Sequence, residues 1–178
     1  MRKKLGVIGV LLLFLVCSMT TAFAGKSDKT TVYKNEEYNF KLSYPQGWIV
    51  EEDSEDTIVD FISSDSESEF HANANIVIDD LTDYPNVTLE EYIDDTIVQL
   101  KEEFSDLRLI SNEKTLLSGQ PARIIIFRGK YEGVAFRWRQ AYTLYNDEMY
   151  IITFLTEDKK NKEYEEQFEK MIESFRMY

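Results

Sequence analysis

Apolar and polar residues alternate along much of the chain, and this period-2 pattern is typical of half-buried β-strands. Between Tyr38 and Tyr44 every second residue is aromatic or leucine, and the residues between them are polar. Pro45-Gln46-Gly47 then predicts a turn, because proline lacks a backbone donor and glycine accepts turn geometry. The same criteria predict strands at Thr31–Lys34, Tyr38–Tyr44, Trp48–Glu51, Ile58–Ser63, Ala74–Asp79, Arg108–Leu116, Ala122–Lys130, Val134–Tyr145 and Met149–Thr156.

Two segments have helical periodicity instead. From Asn86 to Phe104 the apolar residues fall on one helical face, and Lys162–Phe175 repeats that pattern at the end of the chain. Thr88 and Glu91 match a capping box, and the residues on either side of them match a hydrophobic staple. The first segment therefore predicts a helix that begins at a defined cap.

The order of elements is strands, helix, strands, helix. Short turns between consecutive strands predict an antiparallel sheet, and each amphipathic helix must bury its apolar face against that sheet. The segment Ala122–Phe127 is apolar on both faces, which predicts a central strand covered on both sides. The expected class is α+β.

The N-terminus has the three parts of a secretory signal. A basic start (Arg2, Lys3, Lys4) precedes an uncharged apolar run, and Ala22-Phe23-Ala24 offers small residues at a cleavage site. We expect a signal peptide at 1–24, a flexible leader at 25–30 and a single domain at 31–178. Two alternatives remain open: an uncleaved anchor helix, and a lipoprotein signal in which Cys17 carries the lipid.

Charge and cysteine content narrow the function. The chain has a net charge of −13, which disfavours binding to nucleic acid or to an anionic membrane surface. Cys17 is the only cysteine, so cleavage after Ala24 leaves a domain without disulfides, thiol catalysis or cysteine metal sites. Membrane contact is then expected only through an uncleaved signal or a lipidated Cys17, and we expect a monomer.

Several motifs resemble the PsbP-like family, which includes photosystem II extrinsic subunit P and bacterial exported relatives. They are the aromatic strand ending in Pro45-Gln46-Gly47-Trp48, the turn Gly119-Gln120-Pro121-Ala122 and the ending from Phe168 to Phe175. The resemblance implies an α/β/α sandwich with a central antiparallel sheet flanked by helices, and a non-enzymatic role. The motifs are turns and core positions, so they transfer no binding site.

We find no catalytic constellation and no cofactor motif. His71 is the only histidine, so it cannot complete a histidine or cysteine zinc site, and a structural role is expected for it. Asp79, Asp80 and Asp83 cluster after a strand and are weak candidates for calcium binding, although they lack the spacing of a calcium loop. A solvated acidic surface is the usual explanation for such a cluster.

A basic stretch stands out in this acidic chain. If Lys130 lies opposite Val134 across a hairpin, then Arg123, Arg137 and Arg139 share one face of the sheet. These three arginines are the candidate partner-binding residues. The competing interpretation is that they pair with acidic helices of the same chain.

Three hypotheses follow from the sequence. The first is an exported, non-catalytic binding or accessory module that contacts a protein partner outside the cytoplasm, either secreted or in the cell envelope. The second is a binder of a divalent cation or a small ligand that uses the acidic clusters. The third is an envelope hydrolase built on His71 or on paired carboxylates.

Overall fold

The computed structural model describes residues 29–54, 56–65, 70–104 and 106–178. The predicted signal segment, Cys17 and the leader up to residue 28 lie outside these ranges. Within them are two helices, α1 (Leu89–Glu103) and α2 (Asn161–Ser174), and a short 3-10 turn, Asp158–Lys160. The strands are β1 (Thr30–Asn35), β2 (Phe40–Pro45), β3 (Ile49–Ser54), β4 (Thr57–Ile62), β5 (Asn73–Asp80), β6 (Arg108–Leu117), β7 (Gln120–Tyr131), β8 (Val134–Tyr145), β9 (Glu148–Glu157) and β10 (Arg176–Met177).

Seven strands form one antiparallel sheet in the order β3-β4-β5-β9-β8-β7-β6. A separate three-stranded sheet has the order β1-β2-β10. Helix α1 packs on one face of the large sheet, and α2 together with the small sheet packs on the other. The expected α+β sandwich around a central antiparallel sheet is confirmed.

The predicted cap of α1 is present. The Glu91 backbone N–H donates to Thr88 Oγ1 at 3.2 Å, and the Thr88 backbone N–H donates to Glu91 Oε2 at 3.2 Å. Val87 and Tyr92 both belong to the apolar cluster beneath the helix, as the staple predicts. The helix therefore begins at the predicted residue.

On the opposite face, α2 joins the small sheet to the large one. The ring centroid of Phe168 lies 4.4 Å from that of Phe154 in β9, and Trp48 meets Phe168 edge-on at 6.3 Å. The Ser43 backbone N–H of β2 donates to Ser174 Oγ at 2.8 Å. On the large sheet this core is built mainly on β4, β5 and β9, and it reaches β6, β7 and β8 through the buried Leu117, Ala122 and Ala141.

The structure corrects the interpretation of Ala122–Phe127. Strand β9 occupies the middle of the sheet, whereas β7 lies next to the edge strand β6. Ile125 and Phe127 are buried under α1, but Ile124 and Ile126 on the other face stay partly exposed. The prediction of a central strand covered on both sides was therefore wrong, because apolar residues on both faces do not guarantee that both faces are covered.

Two smaller differences concern the ends of elements. Strand β10 pairs Arg176 and Met177 with Lys41 and Phe40, and two residues are too few to produce a readable pattern. Tyr38 lies in a turn before β2, next to Asn39, whose φ of 52° is incompatible with a strand. In the described part of the chain, no helix has the length and apolar character needed to cross a membrane.

Candidate binding groove between α2 and β6

The hairpin that carries the arginines turns through two residues. Glu132 and Gly133 have φ values of 48° and 84°, as a turn with two positive φ angles requires. Tyr131 therefore lies opposite Val134, whereas the sequence analysis placed Lys130 there. The predicted register was wrong by one residue, and a shift of one residue reverses the face to which every side chain points.

The shift separates the three candidate arginines. Arg137 lies opposite Arg128 and shares its face with Arg139, on the α2 side of the sheet. Arg123 lies opposite Tyr142, on the α1 side. The expectation that Arg123 shares a face with Arg137 and Arg139 was wrong.

On the α2 side, Arg137 and its neighbour across the strands, Arg128, converge on one carboxylate. Arg128 Nη2 is 2.8 Å from Asp158 Oδ2, and Arg137 Nη2 is 2.8 Å from Asp158 Oδ1. The Asp158 side chain is only 16% exposed, so water screens this cluster less than it would a surface pair. Arg128 and Arg137 therefore fasten the turn before α2 to the sheet.

Arg139 pairs with α2 itself. Its side chain is 13% exposed, and its guanidinium lies 3.1 Å from Glu165 and 3.7 Å from Glu169. On the other face, Arg123 donates to Asn112 Oδ1 through Nε at 2.9 Å and through Nη2 at 2.6 Å. All three candidate arginines thus have partners within the chain. Only Arg139 pairs with an acidic helix, as the competing interpretation stated, whereas Arg137 bonds to the turn before α2 and Arg123 bonds to β6.

The three candidate aspartates do not form a metal site. Tyr92 donates its hydroxyl hydrogen to Asp79, and the Thr82 backbone N–H donates to Asp80 Oδ1 at 2.9 Å. Burial raises the pKa of Asp79, and the hydrogen bond from Tyr92 opposes that rise. Among the described residues, no group of three or more His, Cys, Asp or Glu side chains is placed to hold a metal ion, so Asp83 adds no third ligand.

His71 has a structural contact. Its Nδ1 lies 2.8 Å from the backbone carbonyl oxygen of Ser63, which can only accept a hydrogen bond. The proton therefore sits on Nδ1, and the ring ties the residues before β5 to the end of β4. This contact gives the histidine no nucleophile to activate.

A groove of about 710 Å³ lies where α2 leaves the sheet uncovered. Its floor contains Ile124 and Ile126 of β7, and Ile172 of α2 contributes an apolar wall. Ser111 and Thr115 of β6 line it toward the edge of the sheet. The groove thus combines an apolar floor with a polar outer margin.

The size of the sheet explains why the groove exists. Seven strands at the usual spacing make a sheet about 29 Å wide, whereas a helix is only about 10 Å across. Helix α2 and the small sheet cover β4, β5 and β9 and reach β6 only at its end, where Leu117 is buried and the Met177 backbone N–H donates to Ser118 Oγ at 2.9 Å. The α2 face of β6 and β7 therefore remains accessible only beside α2, where Ser111, Glu113 and Thr115 lie next to the partly exposed Ile124 and Ile126.

The charged residues lining the groove differ in their partners. Arg139 is paired with α2, and Arg176 Nη1 donates to the backbone carbonyls of Glu173 and Phe175 at 2.6 and 2.7 Å. The carboxylates of Glu113 and Glu173 form no ion pair with any described residue. The groove therefore presents two carboxylates that lack cationic partners within residues 29–54, 56–65, 70–104 and 106–178.

The sequence analysis missed this groove, although a signal for it was present. In a half-buried strand, the residues that face a covered layer are apolar. Ser111, Glu113 and Thr115 lie on the same face as Ile124 and Ile126, since their strands pair in that register. Polar residues on that face of β6 indicate that no layer covers the sheet edge.

Comparisons with known proteins agree with this architecture. A family model described as PsbP-like protein matches residues 19–177. The solution structure of cyanobacterial PsbP (CyanoP) from Synechocystis sp. PCC 6803 is 18% identical and matches with a TM-score of 0.64, over 90% of this chain and 98% of that one. No curated protein matches the sequence.

Two further solved structures share the fold at lower identity. LpqN of Mycobacterium tuberculosis, described as involved in cell envelope biogenesis, is 8% identical with a TM-score of 0.63, over 84% of this chain and 90% of that one. The Ran-binding protein Mog1p of Saccharomyces cerevisiae is 12% identical with a TM-score of 0.61, over 85% of this chain and 96% of that one. At these identities the likeness establishes the fold alone.

Proposed function

The chain belongs to the family of PsbP-like proteins, and on that premise we propose that it is an exported, non-catalytic accessory protein that binds a protein partner in the groove between α2 and β6. The observation that carries this proposal is the open apolar floor at Ile124 and Ile126 beside an edge strand. An apolar surface that stays uncovered in a folded domain is a typical feature of an interaction site.

The shape and charge of the groove favour a polypeptide segment as its occupant. Small-molecule sites usually enclose most of the ligand surface, whereas this groove is a trough along the sheet edge. Glu113 and Glu173 offer charge complementarity to a basic segment. Arg123, Arg137 and Arg139, the candidate binding residues from the sequence, are held by Asn112, Asp158, Glu165 and Glu169.

Photo-crosslinking of the full chain in the cells that make it tests the proposal. A photoreactive benzoyl-phenylalanine replaces Thr115 in the groove, and the control replaces Asp94, an exposed residue of α1. We expect a protein adduct of one defined mass at Thr115 but not at Asp94. The trapped protein, once purified, should also bind the purified chain. Absence of an adduct at Thr115, or identical adducts at both positions, would contradict a partner site in the groove.

The export part of the proposal rests on the N-terminal pattern that ends at Ala24. N-terminal sequencing of the protein recovered from cell fractions should find it outside the cytoplasm and beginning at Gly25. A chain that begins at Met1, or one that begins with a lipid-modified Cys17, would replace the cleaved signal with one of the two alternatives.

A further inference from the structure

The edge of the large sheet at β6 is open to a further strand. β6 ends the strand order and pairs only with β7, so one side of its backbone has no strand partner in the described part of the chain. A register shift between Leu109 and Ser111 interrupts the pairing near the start of the strand, and such bulges discourage edge-to-edge contact. From Ser111 to Leu117 the register is continuous, and this half of the edge lacks that protection.

Hairpin geometry shows which backbone groups point outward. Ser118 and Gly119 form the two-residue turn between β6 and β7, with φ values of 52° and 80°. In such a hairpin the residues flanking the turn bond to each other, and outward-pointing N–H and C=O groups then recur at every second residue. The outward groups of β6 are therefore those of Leu116, Lys114 and Asn112.

The groove runs beside these outward groups. Side chains of a strand added to β6 would alternate between the α1 face and the α2 face of the sheet. On the α2 face they would pass over Ser111, Glu113 and Thr115 toward Ile124 and Ile126. A long side chain is required, because the added strand would lie about 4.8 Å beyond β6.

The charge of the groove selects among long side chains. The groove lining holds three carboxylates and two guanidinium groups, so it stays acidic although Arg176 keeps its charge; Glu113 and Glu173 have no ion pairs in the described ranges. The whole chain has a net charge of −13, which also attracts a basic segment. A second copy of this chain fits less well, because its β6 would bring another Glu113 to an already negative groove.

Building on the proposed function, we propose that the partner contributes an extended segment that pairs with β6 from Asn112 to Leu116 as an eighth strand. Lysine or arginine side chains at alternate positions of this segment lie along the groove toward Glu113 and Glu173. Main-chain hydrogen bonds supply the affinity, and the two carboxylates with the apolar floor supply the preference for this segment.

Two substitutions at Lys114 test the pairing in the full chain that carries the photoreactive residue at Thr115. Lys114→Pro removes an outward N–H and places a ring on the free edge, where proline is compatible with the β6–β7 pairing. Lys114→Ala is the matched control, since it removes the same charge and keeps the N–H. We expect Lys114→Pro to lower the adduct yield by about tenfold or more, and Lys114→Ala to leave it nearly unchanged.

The charge requirement is tested on α2. Glu173→Lys should lower the adduct yield several-fold at low salt, whereas Glu163→Lys makes the same charge change at an exposed position outside the groove and should not. Thermal melts of all four variants test whether each of them is folded. If Lys114→Pro is not, a synthetic peptide copying the trapped segment serves instead: the peptide should compete for the adduct, and its copy with N-methyl groups on alternate amides should not.

The outcomes separate the two proposals. No adduct at Thr115 in the unsubstituted chain overturns the proposed function itself. An adduct that survives Lys114→Pro or the N-methylated peptide, or that maps to a helical or acidic segment, leaves the groove as a binding site and overturns strand addition. An adduct of twice the chain mass assigns the edge to a second copy and overturns the basic partner segment.

Discussion

On one face of β7, Ile125 and Phe127 are enclosed by α1 and the residues that follow it; on the other, Ile124 and Ile126 remain partly exposed beside α2. The two faces carry similar side chains, so hydrophobicity alone does not distinguish them. What differs is the layer above each face, because α1 extends over β7 and β8 whereas α2 lies over β2 and β9. A face of the same composition therefore serves as core on one side and as a candidate binding surface on the other.

The largest expected difference between the two faces of β7 is measured by a matched pair of substitutions on that strand. Ile125→Ala removes a side chain with 0% exposure and leaves a cavity, so we expect a loss of about 2–5 kcal/mol in the free energy of unfolding. Ile126→Ala, in the groove floor, should cost less, about 1–2 kcal/mol, because its side chain is only partly buried. Urea denaturation measures both, and equal losses would show that the groove floor is packed as tightly as the core.

The hydrogen bond between Tyr92 and Asp79 provides a second test of the packing on the α1 face. Burial raises the pKa of Asp79 above its ordinary value of 3.8, so the protonated acid is favoured in the folded state. The stabilisation that comes from keeping Asp79 protonated in the folded state is fully present below pH 3.8, and it is lost as the pH rises through the folded pKa. Tyr92→Phe removes the hydrogen bond that lowers this pKa, so we expect a loss of about 1–3 kcal/mol at neutral pH and a smaller loss at pH near 4.

The matched control is Tyr142→Phe, which removes a buried hydroxyl that donates to Gln140 at 2.7 Å rather than to Asp79. Its effect on unfolding should be nearly the same at both pH values. If Tyr92→Phe also changes the free energy of unfolding equally at both pH values, the hydrogen bond from Tyr92 does not stabilise the ionised Asp79 carboxylate.

The ion pairs of the α2 face predict a smaller effect. Asp158→Asn deprives Arg128 and Arg137 of a shared carboxylate, and we expect a loss of about 1–2 kcal/mol, reduced by the exposure of Arg128. The control Asp83→Asn changes an exposed carboxylate and should fall within about 0.5 kcal/mol of the unsubstituted protein. Chemical denaturation in urea at low and moderate salt distinguishes the two, and equal effects would show that Asp158 does not hold the turn to the sheet.

The smallest expected effect on stability concerns the turn between β7 and β8, which sets the register that separates Arg123 from Arg137 and Arg139. Gly133 has a φ of 84°, and a Cβ atom at this position would meet nothing within 4 Å, so Gly133→Ala should cost about 1 kcal/mol through backbone strain alone. Glu132→Gly, at a φ of 48°, should relieve strain and leave stability unchanged or slightly higher. Thermal melting compares them, and a tolerated Gly133→Ala would argue against the two-residue turn.

Local patterns were sufficient for the elements and the fold class. The cap at Thr88 and the helical spacing of α1 depend on residues close together in sequence, so they could be read directly. The alternation in β2, β8 and β9 likewise reports on one strand at a time. The motifs around Trp48 and Gly119 added the family, which the match over 19–177 confirms.

The candidate site could be located only from the tertiary structure. A single residue in the hairpin at Glu132 and Gly133 decides whether Arg123 joins Arg137 and Arg139, and short loops leave that choice open in the sequence. The ion pairs of Arg137 and Arg139 join residues on separate elements, so no local spacing reveals them.

By itself the sequence determined the N-terminal pattern, the capped helix, the alternating strands and the acidic charge, because each is a property of neighbouring residues. The tertiary structure decided which apolar face is covered, because strand order and helix placement depend on packing among distant segments. The groove follows from that packing: helix α2 and the small sheet are too narrow for seven strands, and they leave part of the face of β6 and β7 uncovered.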